Sequence, residues 1–137
     1  MALIAIGLAA FSFFRAAKPK LRKKHMRKGG NTHSIILELK NPFYHKLRNV
    51  MVRDWVSPLA SVMHEEISST KPVIRKSEAG TELVWRLGNM LPREERILNY
   101  KIKTLIQGSL KMPRAYARFD TDKGKKFKIY SKPLIVK

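Results

Sequence analysis

Cysteine is missing altogether from this chain. That excludes disulfides, a thiolate metal centre and a cysteine nucleophile. It leaves the redox compartment open, because an oxidising one permits disulfides without requiring them. Negative charge is scarce: 10 Asp and Glu stand against 29 Lys and Arg, a formal net charge of +19 over 137 residues. A balance of this kind suits anionic partners, either lipid headgroups or nucleic acid. The chain also lacks a glycine-rich phosphate loop and any internal repeat. What is present, 44% apolar residues, fits one domain of ordinary core size with an appendage and is too hydrophobic for a disordered polymer.

The charge is unevenly placed. Residues 1–30 hold eight basic residues and no acidic one. They begin with an uncharged stretch, Met1 to Phe14, which as a helix would reach about 21 Å against a hydrocarbon core of about 30 Å. Extension through Arg15, whose stem can snorkel, to Ala17 brings it to about 25 Å. The segment reads as a short membrane span, as part of a longer one, or as the apolar region of a signal peptide. Its positive charge comes after the apolar run instead of preceding it, which favours an uncleaved anchor over residues 1–17. Arg15, Lys18, Lys20, Arg22, Lys23, Lys24, Arg27 and Lys28 come next and are expected to meet anionic lipid or a partner as a basic linker over 18–32. Positive residues so close to a span favour the cytoplasmic side for the domain beyond them. Gly29-Gly30-Asn31 reads as a flexible joint.

From residue 33 onward the dominant pattern has period two. Ile35, Leu37 and Leu39 share one face, and Val50 and Val52 another, with Asp54 at the strand end. The most informative stretch is Thr81–Tyr100. Leu83, Trp85 and Leu87 alternate with Glu82, Val84 and Arg86; after a Pro92 turn, Leu98, Tyr100 and Ile102 alternate with Asn99, Lys101 and Lys103. Two strands of this kind need a second sheet over their apolar face, which implies a sandwich. Residues 59–70 read either as strand or as one or two helical turns. Lys71–Ser77 is a short strand whose Pro72 suits an edge. Arg114–Phe119 and Lys125–Tyr130 flank a hairpin turn at Asp120–Gly124, with Phe127 and Ile129 inward, and Leu134–Val136 closes the domain. Seven to eight strands at this spacing give an all-β, immunoglobulin-like β-sandwich over 33–137, preceded by an N-terminal apolar helix.

The order L-R-N-V-M-V-R-D-W-V-S-P, then E-L-V-W-R-L-G-N-M-L-P-R-E-E-R-I-L-N-Y-K-I, then P-R-A-Y-A-R-F-D-T-D-K-G-K-K-F-K-I-Y-S resembles a repeat domain of archaeal and bacterial envelope proteins related to surface-layer and adhesin modules. The landmarks are a strand ending in Asp before a Pro turn, a W-x-L-G strand, a Pro-centred acidic turn into a Tyr strand, and a last hairpin before a Ser. The resemblance covers about residues 34–137 and implies a membrane-tethered, immunoglobulin-like structural or interaction module. No catalytic residue comes with it. Two features depart from that pattern: a single copy instead of tandem copies, and a basic run after the apolar segment.

Other constellations have simpler readings. His64-Glu65-Glu66 lacks further ligands at zinc spacing, with His25, His33 and His45 in unrelated contexts. Asp120-x-Asp122-x-Gly124 lacks the later acidic ligand of a calcium loop, because lysines come after it. Asp54 suits a turn cap, and Ser57, Ser77 and Ser131 have no His and carboxylate companions. No cofactor, metal or catalytic residue is therefore expected. One surface stands out: Arg114, Tyr116 and Arg118 share a face with Lys126 and Lys128, a basic stripe around an aromatic ring that reads as a docking face. The sequence thus points to a non-enzymatic, single-pass membrane module that contacts lipid headgroups and a protein partner. The alternative is a basic module that binds nucleic acid or a ribonucleoprotein near the membrane.

Overall fold

The structure, a computed structural model, describes residues 18–63 and 70–137. These residues form eleven strands and no helix: β1 (Lys20–Gly29), β2 (Thr32–Lys40), β3 (Leu47–Val56), β4 (Ala60–Met63), β5 (Val73–Ser77), β6 (Gly80–Met90), β7 (Glu95–Thr104), β8 (Leu110–Met112), β9 (Tyr116–Asp120), β10 (Lys126–Tyr130) and β11 (Leu134–Val136). One sheet has the order β1-β2-β7-β4, a second β10-β9-β3-β6-β5, and β8 pairs with β11. All pairings are antiparallel.

The two larger sheets face each other across one core. Ile35, Leu37 and Leu39 of β2 and Leu98, Tyr100 and Ile102 of β7 pack with Val52 of β3, Leu83 and Trp85 of β6, and Ala117 and Phe119 of β9. Alternation produces this directly, since every second residue of a strand lies on the same face. Trp85 and Tyr100, from opposite sheets, place their rings 5.9 Å apart, within the range where tilted aromatic pairs add to simple burial.

Four expectations change. The strands number eleven among the described residues, not seven to eight, because β1, β4 and β8 are short of apolar residues or short in length. The two strands of the Thr81–Tyr100 stretch do not share a sheet. β6 lies between β3 and β5, and β7 between β2 and β4, so Leu91–Glu94 arches from one layer to the other. Residues 18–32 are not a linker, since β1 fills most of them and pairs with β2 from Lys20↔Lys40 to Gly29↔Thr32. Gly29-Gly30-Asn31 is the turn of that hairpin, with Gly30 at φ 54°, a left-handed conformation that suits glycine. Finally, Asp54 lies inside β3 and is fully buried, not at an open strand end. The expected N-terminal apolar helix lies outside the described residues, as do residues 64–69 of the uncertain segment; its start, Ala60–Met63, is strand.

The loops gather at two poles. At one, Asn41 and Phe43 of the β2–β3 loop bond the backbone of Glu94 and Arg93, and the β9–β10 turn adjoins through His45 and Asp122. At the other, the β1–β2 turn is held to the end of β7 by Thr104 N–H donating to Asn31 O at 2.9 Å. β1 starts at the first pole. Among the described residues no helix is long and apolar enough to cross a membrane.

Candidate functional surfaces

The N-terminal basic run divides by strand alternation. Arg15 lies outside the described residues. Lys18, Lys20, Arg22, Lys24, Arg27 and Lys28 are exposed, whereas Lys23 takes an inward position and is buried. Lys23 cannot therefore contact lipid or an external partner. Its Nζ donates to Asp54 Oδ1 at 2.6 Å and to the Pro113 carbonyl at 2.9 Å. Tyr100 O–H donates to Asp54 Oδ2 at 2.5 Å, and the Trp55 amide donates to Oδ1 at 2.8 Å.

This network joins β1, β3, β7 and the β8–β9 connection within the core. Both side chains of the ion pair are wholly inaccessible. Burial raises the Asp54 carboxyl above its ordinary value, although Lys23 and the donated hydrogen bonds oppose the shift. It likewise lowers the Lys23 ammonium against the pull of Asp54. Burial and then the Asp54 charge push the Tyr100 hydroxyl well above its usual range. Desolvation thus outweighs attraction at both ends, as expected for charges taken out of water. The arrangement fixes three strands relative to one another, and each oxygen of the carboxylate is already occupied by a donor.

Reading Asp54 as a turn cap captured only the Trp55 amide. Sequence reasoning missed Lys23 and Tyr100 as its partners. Part of the signal was present, because Asp54 falls in register with Val50 and Val52 and so occupies a core position.

The proposed docking face assembles in most of its parts. β9 and β10 set Arg118 opposite Lys128 and Tyr116 opposite Tyr130. Lys128 Nζ lies 4.9 Å from the centre of the Tyr116 ring, and the Arg53 guanidinium of β3 lies 5.4 Å from it, within cation–π range. Lys126 lies opposite Asp120 in the strand register, and Asp120 Oδ2 accepts from Asn49 Nδ2 at 2.9 Å. Arg114 is exposed in the connection before β9 and belongs to no strand. Arg53 and Tyr130 extend the stripe beyond the residues that the sequence indicated.

The serines serve turns. Ser131 Oγ accepts from the Ala115 amide at 2.9 Å and donates to Lys132 O, Ser57 Oγ accepts from the Leu59 amide, and Ser77 Oγ donates to Gly80 O. His25 and His33, far from unrelated, have rings 5.9 Å apart across the β1–β2 hairpin. His64, Glu65 and Glu66 lie outside the described residues, among which no three His, Asp or Glu side chains form a metal-binding group.

No family model matches the chain, and no curated protein matches its sequence. Its fold does match solved structures. The major pilin SpaD of Corynebacterium diphtheriae superimposes with a TM-score of 0.65 at 13% identity, over 86% of this chain and 34% of that one. The major pilin subunit BcpA of Bacillus cereus, as its D312A variant, gives 0.63 at 12%, over 87% and 40%. The collagen-binding subdomain of the Enterococcus faecalis surface protein ACE gives 0.58 at 10%, over 88% and 97%. An exo-β-N-acetylglucosaminidase of Vibrio harveyi also matches, with a score of 0.57 at 8% identity, over 17% of its length. The chain thus spans about a third to two-fifths of the pilins. At these identities the likeness is one of fold: an immunoglobulin-like sandwich of the kind found in pilins and a surface adhesin.

Proposed function

We propose that this chain is a non-enzymatic β-sandwich module, held at a membrane by residues 1–17, that serves there as a structural or protein-interaction domain. The observation that carries the reading is the use made of its buried charge. Among the described residues the one wholly inaccessible ion pair, Lys23 and Asp54, is engaged in holding strands together, while the exposed charge is overwhelmingly basic and spread over strand faces. Pilin and adhesin domains with the same fold support a structural or binding role over a catalytic one. The uncharged Met1–Phe14 and the basic residues after it support the membrane, with the sandwich on the cytoplasmic side and its cations against anionic headgroups.

Cell fractionation tests the anchor. The full chain should stay in the membrane pellet through an alkaline carbonate wash, and a variant lacking 1–17 should be released while still folded. Release of the full chain by carbonate would overturn the anchor. Protease added to intact cells tests the side, since cleavage within 18–137 before lysis would move the sandwich to the outer face.

A further inference from the structure

β10 is the edge of its sheet. Phe127, in the middle of this edge strand, is 46% exposed and stacked on Phe119 at 5.9 Å. Together with Phe43 and Ile129 these rings line an open cleft of about 490 Å³. Lys18, Lys123 and Lys125 also line it, against the single carboxylate of Asp122. At the same pole Tyr44 is 83% exposed. An apolar, aromatic recess with cations around it is the combination that suits the boundary between headgroups and acyl chains.

We infer that this pole rests on the surface of an anionic bilayer, with the cleft and Tyr44 at headgroup level and the β1–β2 turn pointing away. The inference deepens the anchoring reading and rests on it. Chain length is the second argument. Only Lys18 and Pro19 lie between residue 17 and the start of β1, and both line the cleft. Two residues span about 7 Å at most, so a membrane-embedded segment ending at residue 17 leaves the pole no room to stand clear of the lipid. The lysines match the charge of that surface.

Because the chain has no cysteine, single labels can be placed without background. Tyr44→Cys at this pole and Gln107→Cys at the other, each carrying an environment-sensitive fluorophore, are reconstituted as full chains in vesicles of phosphatidylcholine and phosphatidylglycerol with headgroup-spin-labelled lipid. Quenching should be several-fold stronger at 44 than at 107. Lys123→Glu with Lys125→Glu should weaken it at 44 while the protein still sediments with the vesicles. Equal quenching at the two positions, with the protein in the pellet, would overturn the orientation and leave the anchor intact. A crosslink from position 44 to a second copy would assign the cleft to self-association and overturn it too. Failure of the full chain to sediment would remove the anchor and this inference together.

Discussion

Lys23→Met is the most revealing single change in the molecule. It preserves the length and packing of the side chain but leaves Asp54 with no cation inside a core where neither partner reaches solvent. Breaking one side of a buried pair costs about 3–5 kcal/mol, whereas replacing both sides with well-packed apolar groups is often neutral or stabilising. Lys23→Met should therefore lose about 3–5 kcal/mol, and Lys23→Met with Asp54→Leu should recover part of it, the rest being held back because the Tyr100 hydroxyl and the Trp55 amide lose their acceptor. Urea titration followed by tryptophan fluorescence measures both. The sign with pH is fixed as well. Burial already raises Asp54, and Lys23 opposes that shift, so removing Lys23 raises the carboxyl further. A carboxyl whose folded value is raised contributes stability that is fully present below its unfolded value and is lost as pH rises through the folded one. The Lys23→Met deficit should accordingly be largest at neutral pH and shrink on acidification toward about pH 4, the ordinary carboxylate range. Single-variant losses under about 1 kcal/mol, a double variant no better than the worse single, or a deficit that grows with acid would each refute the reasoning.

Three further outcomes are expected. Trp85→Ala should cost about 3–5 kcal/mol by chemical denaturation, the usual cost of emptying a large buried aromatic site, because the ring is fully buried between the sheets. Gly80→Ala should lower the melting temperature more than Gly30→Ala. A Cβ at residue 80 would lie 2.3 Å from the Val56 carbonyl oxygen, whereas residue 30 has open space and bears only the left-handed backbone cost of about 1–2 kcal/mol. His33 is lowered from its ordinary value by burial and then by the neighbouring charges of His25 and Arg27. Its contribution to stability is present above the unfolded value and lost as pH falls through the folded one, so His33→Gln should flatten the stability profile just below about pH 6.5, the ordinary histidine value.

Alternation made β2, β3, β6 and β7 legible in the sequence, and the Asp-Thr-Asp-Lys-Gly turn did the same for the β9–β10 hairpin. Pairing was harder to read. Leu83, Trp85 and Leu87 give one face of a strand but carry no information about which sheet it joins, so the arch at Leu91–Glu94 passed for an in-sheet connection. β1 was hidden for a different reason. A buried lysine breaks the hydrophobic signal at the one position that decides between strand and linker, and only the carboxylate of Asp54, 31 residues away, makes that position tolerable. The basic stripe on β9 and β10 came from strand parity. Arg53, which caps the same tyrosine from β3, depends on register across a bulged pairing that period-two reasoning does not supply.

The basic run is a strand of the sandwich, β1, and under the proposed anchoring only Lys18 and Pro19 separate it from residues 1–17. Hydrogen–deuterium exchange of the full chain, read over residues 20–28, tests this. Those amides of β1 that pair with β2 should exchange far more slowly than the same amides in an unstructured peptide. Exchange of the whole segment within seconds, at the unstructured rate, would contradict the claim.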